Sequence, residues 1–308
     1  MPDLPSLALV ILNWNSANKT ASCLDVIKGY DYPVKKLKII VIDNASSDNS
    51  KELLPLKLKQ FQQEGFNTIF HSHESHPGVT EALNSALPFL SKEDIYICRH
   101  DNDVVMDKEG LRKMVMYINQ NNQIGLMGAR TVYAANPALL NSAAIFINRF
   151  GFKSKMVDSS IPIPCDAILG CLMLTRVEAI QKIGYWFDKS LLLFAEEPDL
   201  SFRLLKAGYS TYYFPLVTVL HETKVSLGKH SDLSNYLNIR NHTLIYNKYF
   251  PWYSTPLRLT KLFFTYLVRG IINKNFQELV AFMDGCGKKT LSKEWWNAQI
   301  AGKPFQYP

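Results

Sequence analysis

Two carboxylates lie one residue apart at the end of a short apolar run. The run, Ile95-Tyr96-Ile97-Cys98, reads as a buried strand, and Arg99-His100-Asp101-Asn102-Asp103-Val104-Val105 follows it. At the carboxyl end of such a strand, Asp101 and Asp103 can both reach a divalent cation that prefers hard oxygen ligands. Open α/β sheets bind their ligands along that edge. Alone, the Asp-x-Asp spacing is more simply a solvated loop, so the surrounding elements decide.

A second acidic cluster is Glu196-Glu197-Pro198-Asp199. Pro198 suits the first position of a helix, Asp199 its first-turn dipole and Gly208 its carboxyl cap. Glu196 and Glu197 are therefore expected just before that helix, on a turn. His71, His73, Glu74 and His76 match no zinc spacing and read as a mobile polar loop.

The elements that must position these groups alternate. Leu7 to Leu12 is a continuous apolar run, as in a central strand buried on both faces. A helix capped by Ser16 or Asn18 runs to about Lys28 and stops at Gly29. A strand over Leu37 to Ile42 ends in the polar run Asp43 to Ser50. That run caps a helix over about Lys51 to Glu64, whose start Pro55 leaves open. A strand over Asn67 to His71, a helix over Val79 to Leu90 and the strand at Ile95 come next. Strand alternating with helix four times predicts βαβ units and a mostly parallel sheet. A helix over Lys108 to Asn121 and a strand over Ile124 to Ala129 follow. Residues 130–164 show no clean period and read as an insertion with short strands, the expected seat of substrate specificity. A strand over Ala167 to Leu174, a helix over Arg176 to Ile183 and a strand from Ser210 to His221 complete a domain over residues 1–230.

Residues 231–308 read as a helical extension. Over Leu257 to Ile271, Leu259, Leu262, Phe263, Tyr266 and Leu267 share one side, and Arg258, Lys261 and Arg269 share another. With Trp252 and Tyr253 ahead of it, this helix suits a membrane surface, or simply packs on the domain with its basic side in water.

At 308 residues, 47% hydrophobic and 20% charged, the chain has the composition of a soluble globular protein. The net charge of +7 is concentrated beyond Arg240, where ten Lys or Arg face three acids. No nucleic-acid motif accompanies that charge, which argues against a nucleic-acid partner. Five cysteines without metal or redox spacing read as reduced thiols. No signal peptide precedes Leu7 and no run reaches about 18 apolar residues, so the expected location is cytoplasmic.

In order and spacing, five stretches resemble the inverting family-2 glycosyltransferases of GT-A fold, particularly the branch that includes bacterial rhamnosyltransferases. They are Val10 to Asn15, Val41 to Asp48, Gly78 with Asn84, Asp101 to Val105, and Gly170 through Arg203 with His221. The resemblance implies an α/β, Rossmann-like domain and transfer from a UDP- or dTDP-sugar to a glycan or lipid-linked glycan hydroxyl, in bacterial polysaccharide synthesis. It implies a donor pocket of Leu12, Trp14, Asp43, Gly78, Asn84, Asp101, Asn102 and Gly170. Asp43 would accept a hydrogen bond from the imide of the base. Mn2+ or Mg2+ would sit on Asp103, with Asp101 and His221. Glu197 would be the catalytic base and Glu196 would hold the acceptor, or the two would exchange roles. It also implies a peripheral seat on the inner face of the cell membrane. His76 stands where the family usually has Asn. A nucleotidyltransferase that makes sugar nucleotides would want a Gly-rich basic loop after the first strand, and Asn13-Trp14-Asn15 is not one. A non-catalytic nucleotide- or glycan-binding module stays open from sequence.

Overall fold

A computed structural model describes residues 4–148, 154–222, 232–250 and 253–308. The apolar runs become parallel strands β1 (Ser6–Asn13), β2 (Leu37–Asp43), β3 (Asn67–Ser72) and β4 (Asp94–His100), lying side by side as β4-β1-β2-β3. Helices α1 (Ala17–Lys28), α2 (Ser50–Gln63) and α3 (Val79–Asn84) lie in the connections between them. Asn13 pairs with Asp43 and Asp43 with Ser72, so the carboxyl ends finish level. That levelness puts the polar loop residues of several strands in one crevice.

Two prolines act differently. Pro55 lies inside α2, where it removes one early hydrogen bond without stopping the helix. Pro88 lacks the N–H that another turn of α3 would need. The chain passes there into a single 3-10 turn at residues 87–89, well short of the expected helix to Leu90.

The second half of the sheet is mixed rather than parallel. After β5 (Val104–Met106), α4 (Gly110–Asn119) and β6 (Ile124–Tyr133) come β7 (Asn136–Ser142), β8 (Ala144–Ile147), β9 (Ser154–Val157) and β10 (Ile163–Cys165). Then follow β11 (Leu172–Arg176), α5 (Val177–Ile183), α6 (Glu196–Lys206) and β12 (Ser210–His221). β11 enters between β4 and β6, antiparallel to both. It starts later than the expected Ala167, because residues 167–171 approach the sheet as irregular chain. β12 runs parallel to β6 and carries β5 and β10 antiparallel on its length. The β5 pairing sets His221 opposite Val104, beside the acidic triplet. Strands β8 and β9 form a separate pair.

Glu196 and Glu197 are the first turn of α6, not a turn before it. Pro198 is accommodated because the first N–H groups of a helix have no partner within it. Helices α7 (Asp232–Tyr249), α8 (Thr255–Asn273), α9 (Gln277–Cys286) and α10 (Lys293–Ile300) follow. The 230/231 division and Trp252 lie outside the described residues. In α8, Arg258 is fully buried and donates to Tyr246 O (3.2 Å) and Asn247 Oδ1 (3.0 Å), so it does not share a wet face with Lys261 and Arg269. The wet face of α8 is instead apolar: Leu257, Phe264, Val268, Ile271 and Ile272 are all more than half exposed. No helix among the described residues is long and apolar enough to cross a membrane.

Helices α6 and α7 meet at Asp199, which is wholly buried. It accepts from Arg203 Nε (2.6 Å), Lys248 Nζ (2.9 Å) and Tyr249 Oη (2.6 Å). Removing a buried carboxylate strands its cationic partners, at about 3–5 kcal/mol. Asp199→Ala should therefore lower the thermal midpoint by several degrees in calorimetry. An unchanged midpoint would remove the hub from the account of how α7 is held.

Candidate active site

The crevice is built from side chains that first hold one another. Asp43, fully buried, accepts from Asn13 Nδ2 (2.8 Å), Ser72 Oγ (2.9 Å) and the Ser46 N–H (3.2 Å). Asn13 Oδ1 accepts from Thr20 Oγ1 (2.7 Å), and Thr20 Oγ1 accepts from Asn102 Nδ2 (2.8 Å). One relay of four side chains thus joins the loop after β4 to the end of β2. Its members polarise one another in the order Asn102, Thr20, Asn13, Asp43.

Arg99 ties the two acidic clusters together. Its guanidinium grips Asp101 with two bonds (Nε–Oδ1 2.8 Å, Nη2–Oδ2 3.1 Å) and reaches Glu196 Oε1 through Nη1 (3.2 Å). Both oxygens of Asp101 are therefore engaged by arginine, whereas those of Asp103 are not. Burial works against the charge on Arg99. Asp101 and Glu196 more than restore it, so its pKa lies above the usual arginine value. Glu197 Oε1 accepts from the Gly170 N–H (3.0 Å). A Cβ at Gly170 would run into Glu197 Oε1 and come within 2.7 Å of Arg99 Nη1, so only glycine lets the Glu197 carboxyl and the guanidinium close on this backbone. Burial, then the charge of Glu196, push Glu197 up to about 8, with Arg99 opposing.

Asp103 faces His221, with Oδ1 3.4 Å from Nε2, and Lys19 Nζ stands 3.9 Å from its other oxygen. Burial raises the Asp103 pKa, but the His221 contact and Lys19 prevail and hold it below the ordinary value. His221 Nδ1 lies 3.0 Å from Asn141 Oδ1, which can only accept there, so Nδ1 carries a proton. In the neutral ring, Nε2 then turns a lone pair toward a carboxylate oxygen. A proton or a cation between them removes that conflict. Among the described residues no cluster of three or more His, Cys, Asp or Glu is placed to hold a metal. Two protein ligands nonetheless fit a hard cation that takes its other ligands from water and a diphosphate.

The segment before α6 is strained. Leu192, Phe194 and Ala195 all have positive φ (60°, 70° and 64°), at about 1–3 kcal/mol each. Asn241 of α7 restrains them, its Nδ2 lying 2.8, 2.8 and 3.0 Å from the carbonyls of Leu191, Leu193 and Phe194. Gly78, at φ 96°, lets the start of α3 close on Leu192, whose carbonyl accepts from the Val79 N–H (2.7 Å). Asn84 commits both ends of its amide to the Phe187 backbone (2.7 and 2.8 Å). Gly78 and Asn84 therefore shape the crevice by joining α3 to this segment, not by offering free polar groups.

Leu12 and Trp14 are half-buried at the end of β1, and the Trp14 ring stands edge-on to His76 at 5.0 Å. His76 is buried, so the polar-loop expectation fails there. Its Nδ1 accepts from the Gly78 N–H (3.2 Å) and from Trp296 Nε1 of α10 (3.2 Å), which leaves the proton on Nε2. The Asn44 amide, 3.1 Å from Nε2, must turn its oxygen to that proton, which also supplies the partner that Oδ1 otherwise lacks. Arg99, Asn13, Asn141, Asn241 and Trp296 are thus working residues that sequence reasoning passed over. Of these only Arg99 and Asn13, adjoining recognised motifs, offered any signal.

Burial lowers His76 to about 4. A depressed histidine contributes stability that is complete above its free value near 6.5 and lost as pH falls toward 4, here about 3 kcal/mol. Tryptophan emission, to which Trp14 and Trp296 contribute, should change as pH falls through about 4. In His76→Asn the transition should vanish, and its persistence would locate the effect elsewhere.

The chain is similar to known proteins. The model of the glycosyl transferase family 2 matches residues 8–184. Glucomannan 4-beta-mannosyltransferase 1 of Oryza sativa subsp. japonica is 22% identical over 221 residues, covering 71% of this chain and 42% of that protein. Poly-beta-1,6-N-acetyl-D-glucosamine synthase of Staphylococcus aureus is 24% identical over 225 residues, covering 70% and 49%. The chain thus spans less than half the length of these relatives. Among solved structures, the mannosyltransferase PcManGT of Pyrobaculum calidifontis, in complex with GDP-Man and Mn2+, superposes with TM-score 0.59 at 15% identity over 98% of this chain and 81% of that one. GalNAc-T7 with UDP, GalNAc and Mn2+ gives 0.66 at 15% identity, over 98% and 57%. The mixed sheet flanked by helices is the GT-A fold. With more than half of its residues inside the family match, the chain belongs to glycosyl transferase family 2.

Proposed function

We propose that this protein is an inverting, metal-dependent hexosyltransferase of the rhamnosyltransferase-like branch. It would move a sugar from a UDP- or dTDP-sugar to a hydroxyl of a growing bacterial glycan. The observation that carries this reading is the placement of Glu197, a carboxyl anchored by the Gly170 N–H beside the Arg99–Asp101 pair, with its pKa raised toward the range where a general base works best. Asp43 would meet the base of the donor, with Leu12 and Trp14 walling it, and Asn102 would steady Asp43 through the relay. Asp103 and His221 would hold a divalent cation, Mn2+ or Mg2+, which when bound offsets charge on the departing diphosphate. Asp101, gripped by Arg99, serves the architecture of the site more than the cation. As the acceptor oxygen forms its bond to the anomeric carbon, the bond from that carbon to the phosphate oxygen breaks. Glu197 takes the hydroxyl proton, and Glu196 stays paired with Arg99. The open apolar face of α8, with Lys261, Arg269 and Lys274 on the same helix or at its end, suits the headgroup layer of an anionic membrane, where a lipid-linked acceptor would be met.

Glu197→Gln should bind UDP with Mn2+ as the parent does and lose transfer by about 10²–10⁴-fold. An active variant moves the base to Glu196. Because the base must be ionised, transfer should rise with pH through about 8 and level only above it, and a rise complete by pH 5 would contradict the assignment. Asp103→Ala should abolish the Mn2+-dependent part of nucleotide binding in calorimetry. Flotation with phosphatidylglycerol vesicles should carry the protein, and Phe264→Glu with Val268→Glu should prevent it.

A further inference from the structure

A cleft of about 230 Å³ opens on the flank of α6, away from the Asp103–His221 pair. Its walls include Phe146, Cys165, Asp166, Ser201, Phe202 and Thr211. Ser201 and Thr211 are each only 4% exposed, and neither hydroxyl has a hydrogen-bond partner among the described residues. A buried hydroxyl without a partner is costly, and two on one cleft mark a place made for polar company. Asp166 Oδ2 accepts from the Ile147 N–H (2.7 Å), and no Lys, Arg or His lines the cleft. A phosphate would meet a carboxylate and no cation there. A neutral ligand with hydroxyls and an apolar face meets hydroxyls, a carboxylate acceptor and two phenyl rings.

Both walls lead back to Glu197. Ser201 follows it by four residues on α6, on the same side and about 6 Å along the axis. Asp166 precedes by four residues Gly170, whose N–H holds Glu197. We propose that the cleft is a subsite for a sugar ring of the acceptor chain next to the ring that reacts. The idea rests on the transferase reading above. Asp166 would take hydrogen bonds from ring hydroxyls, Ser201 and Thr211 would turn theirs inward to meet them, and Phe146 and Phe202 would cover the apolar face.

The test is saturation-transfer NMR on the full chain with UDP and Mn2+ present, using cellobiose, mannobiose, chitobiose and methyl α-rhamnoside as probes. At least one should show transfer to the wild type, and Ser201→Leu, which fills the cleft, should weaken that signal at least tenfold. Thr211→Val keeps the shape and removes a hydroxyl, so it should weaken the signal several-fold with an unchanged unfolding temperature. Nucleotide affinity should be the same in all three proteins. Saccharide signals that survive both substitutions, or none from any probe while UDP binds normally, overturn the subsite and leave the transferase reading standing. Failure of both UDP and dTDP to bind wild type would overturn the transferase reading itself, and the subsite with it.

Discussion

One guanidinium among three carboxylates governs the middle of this molecule. Arg99 is buried where Asp101, Glu196 and Glu197 converge, and its single positive charge cannot balance all of them. The bidentate grip on Asp101 and the contact to Glu196 use the cation first, so the deficit falls on Glu197. That deficit raises the carboxyl of Glu197 above the usual carboxylate range. The groups that follow from this arrangement are therefore not separable. The loop after β4, the start of α6 and the Gly170 turn must all be in place before any one of them makes sense.

That interdependence explains what could be read from the chain. The runs at Leu7, Leu37 and Ile95 announced their strands because a strand buried on both faces is mostly apolar, with Lys38 the one charged residue inside Leu37–Ile42. Asp103 and His221 were legible as partners only through an established family pattern, since nothing local links positions 118 residues apart. The start of α6 was placed two residues too late because Pro198 reads as a first helical residue, though any of the first positions tolerates it. Arg99 was overlooked since a lone arginine after a strand is ordinary, and only the fold brings two distant acids to it. Asn241 and Trp296 could not have been read at all. Each sits in a helix of unremarkable sequence and acts on a segment tens to hundreds of residues away.

The C-terminal helices are consequently part of the crevice. Helix α7 braces the strained residues 192–195 with Asn241 and holds α6 through Lys248 and Tyr249 on Asp199. Backbone strain persists where its surroundings over-determine it, and here the surroundings are largely α7. Helix α8, by contrast, turns an apolar face outward and contributes no residue to the crevice described above.

The bond from Trp296 to His76 spans 220 positions. A ribosome releases the Rossmann-like strands first, and they can pair long before α10 emerges. The wall behind Trp14 nonetheless stays unfinished until α10 has left the exit tunnel. Nascent chains that stop short of α10 would carry a formed sheet but leave His76 without its Trp296 partner.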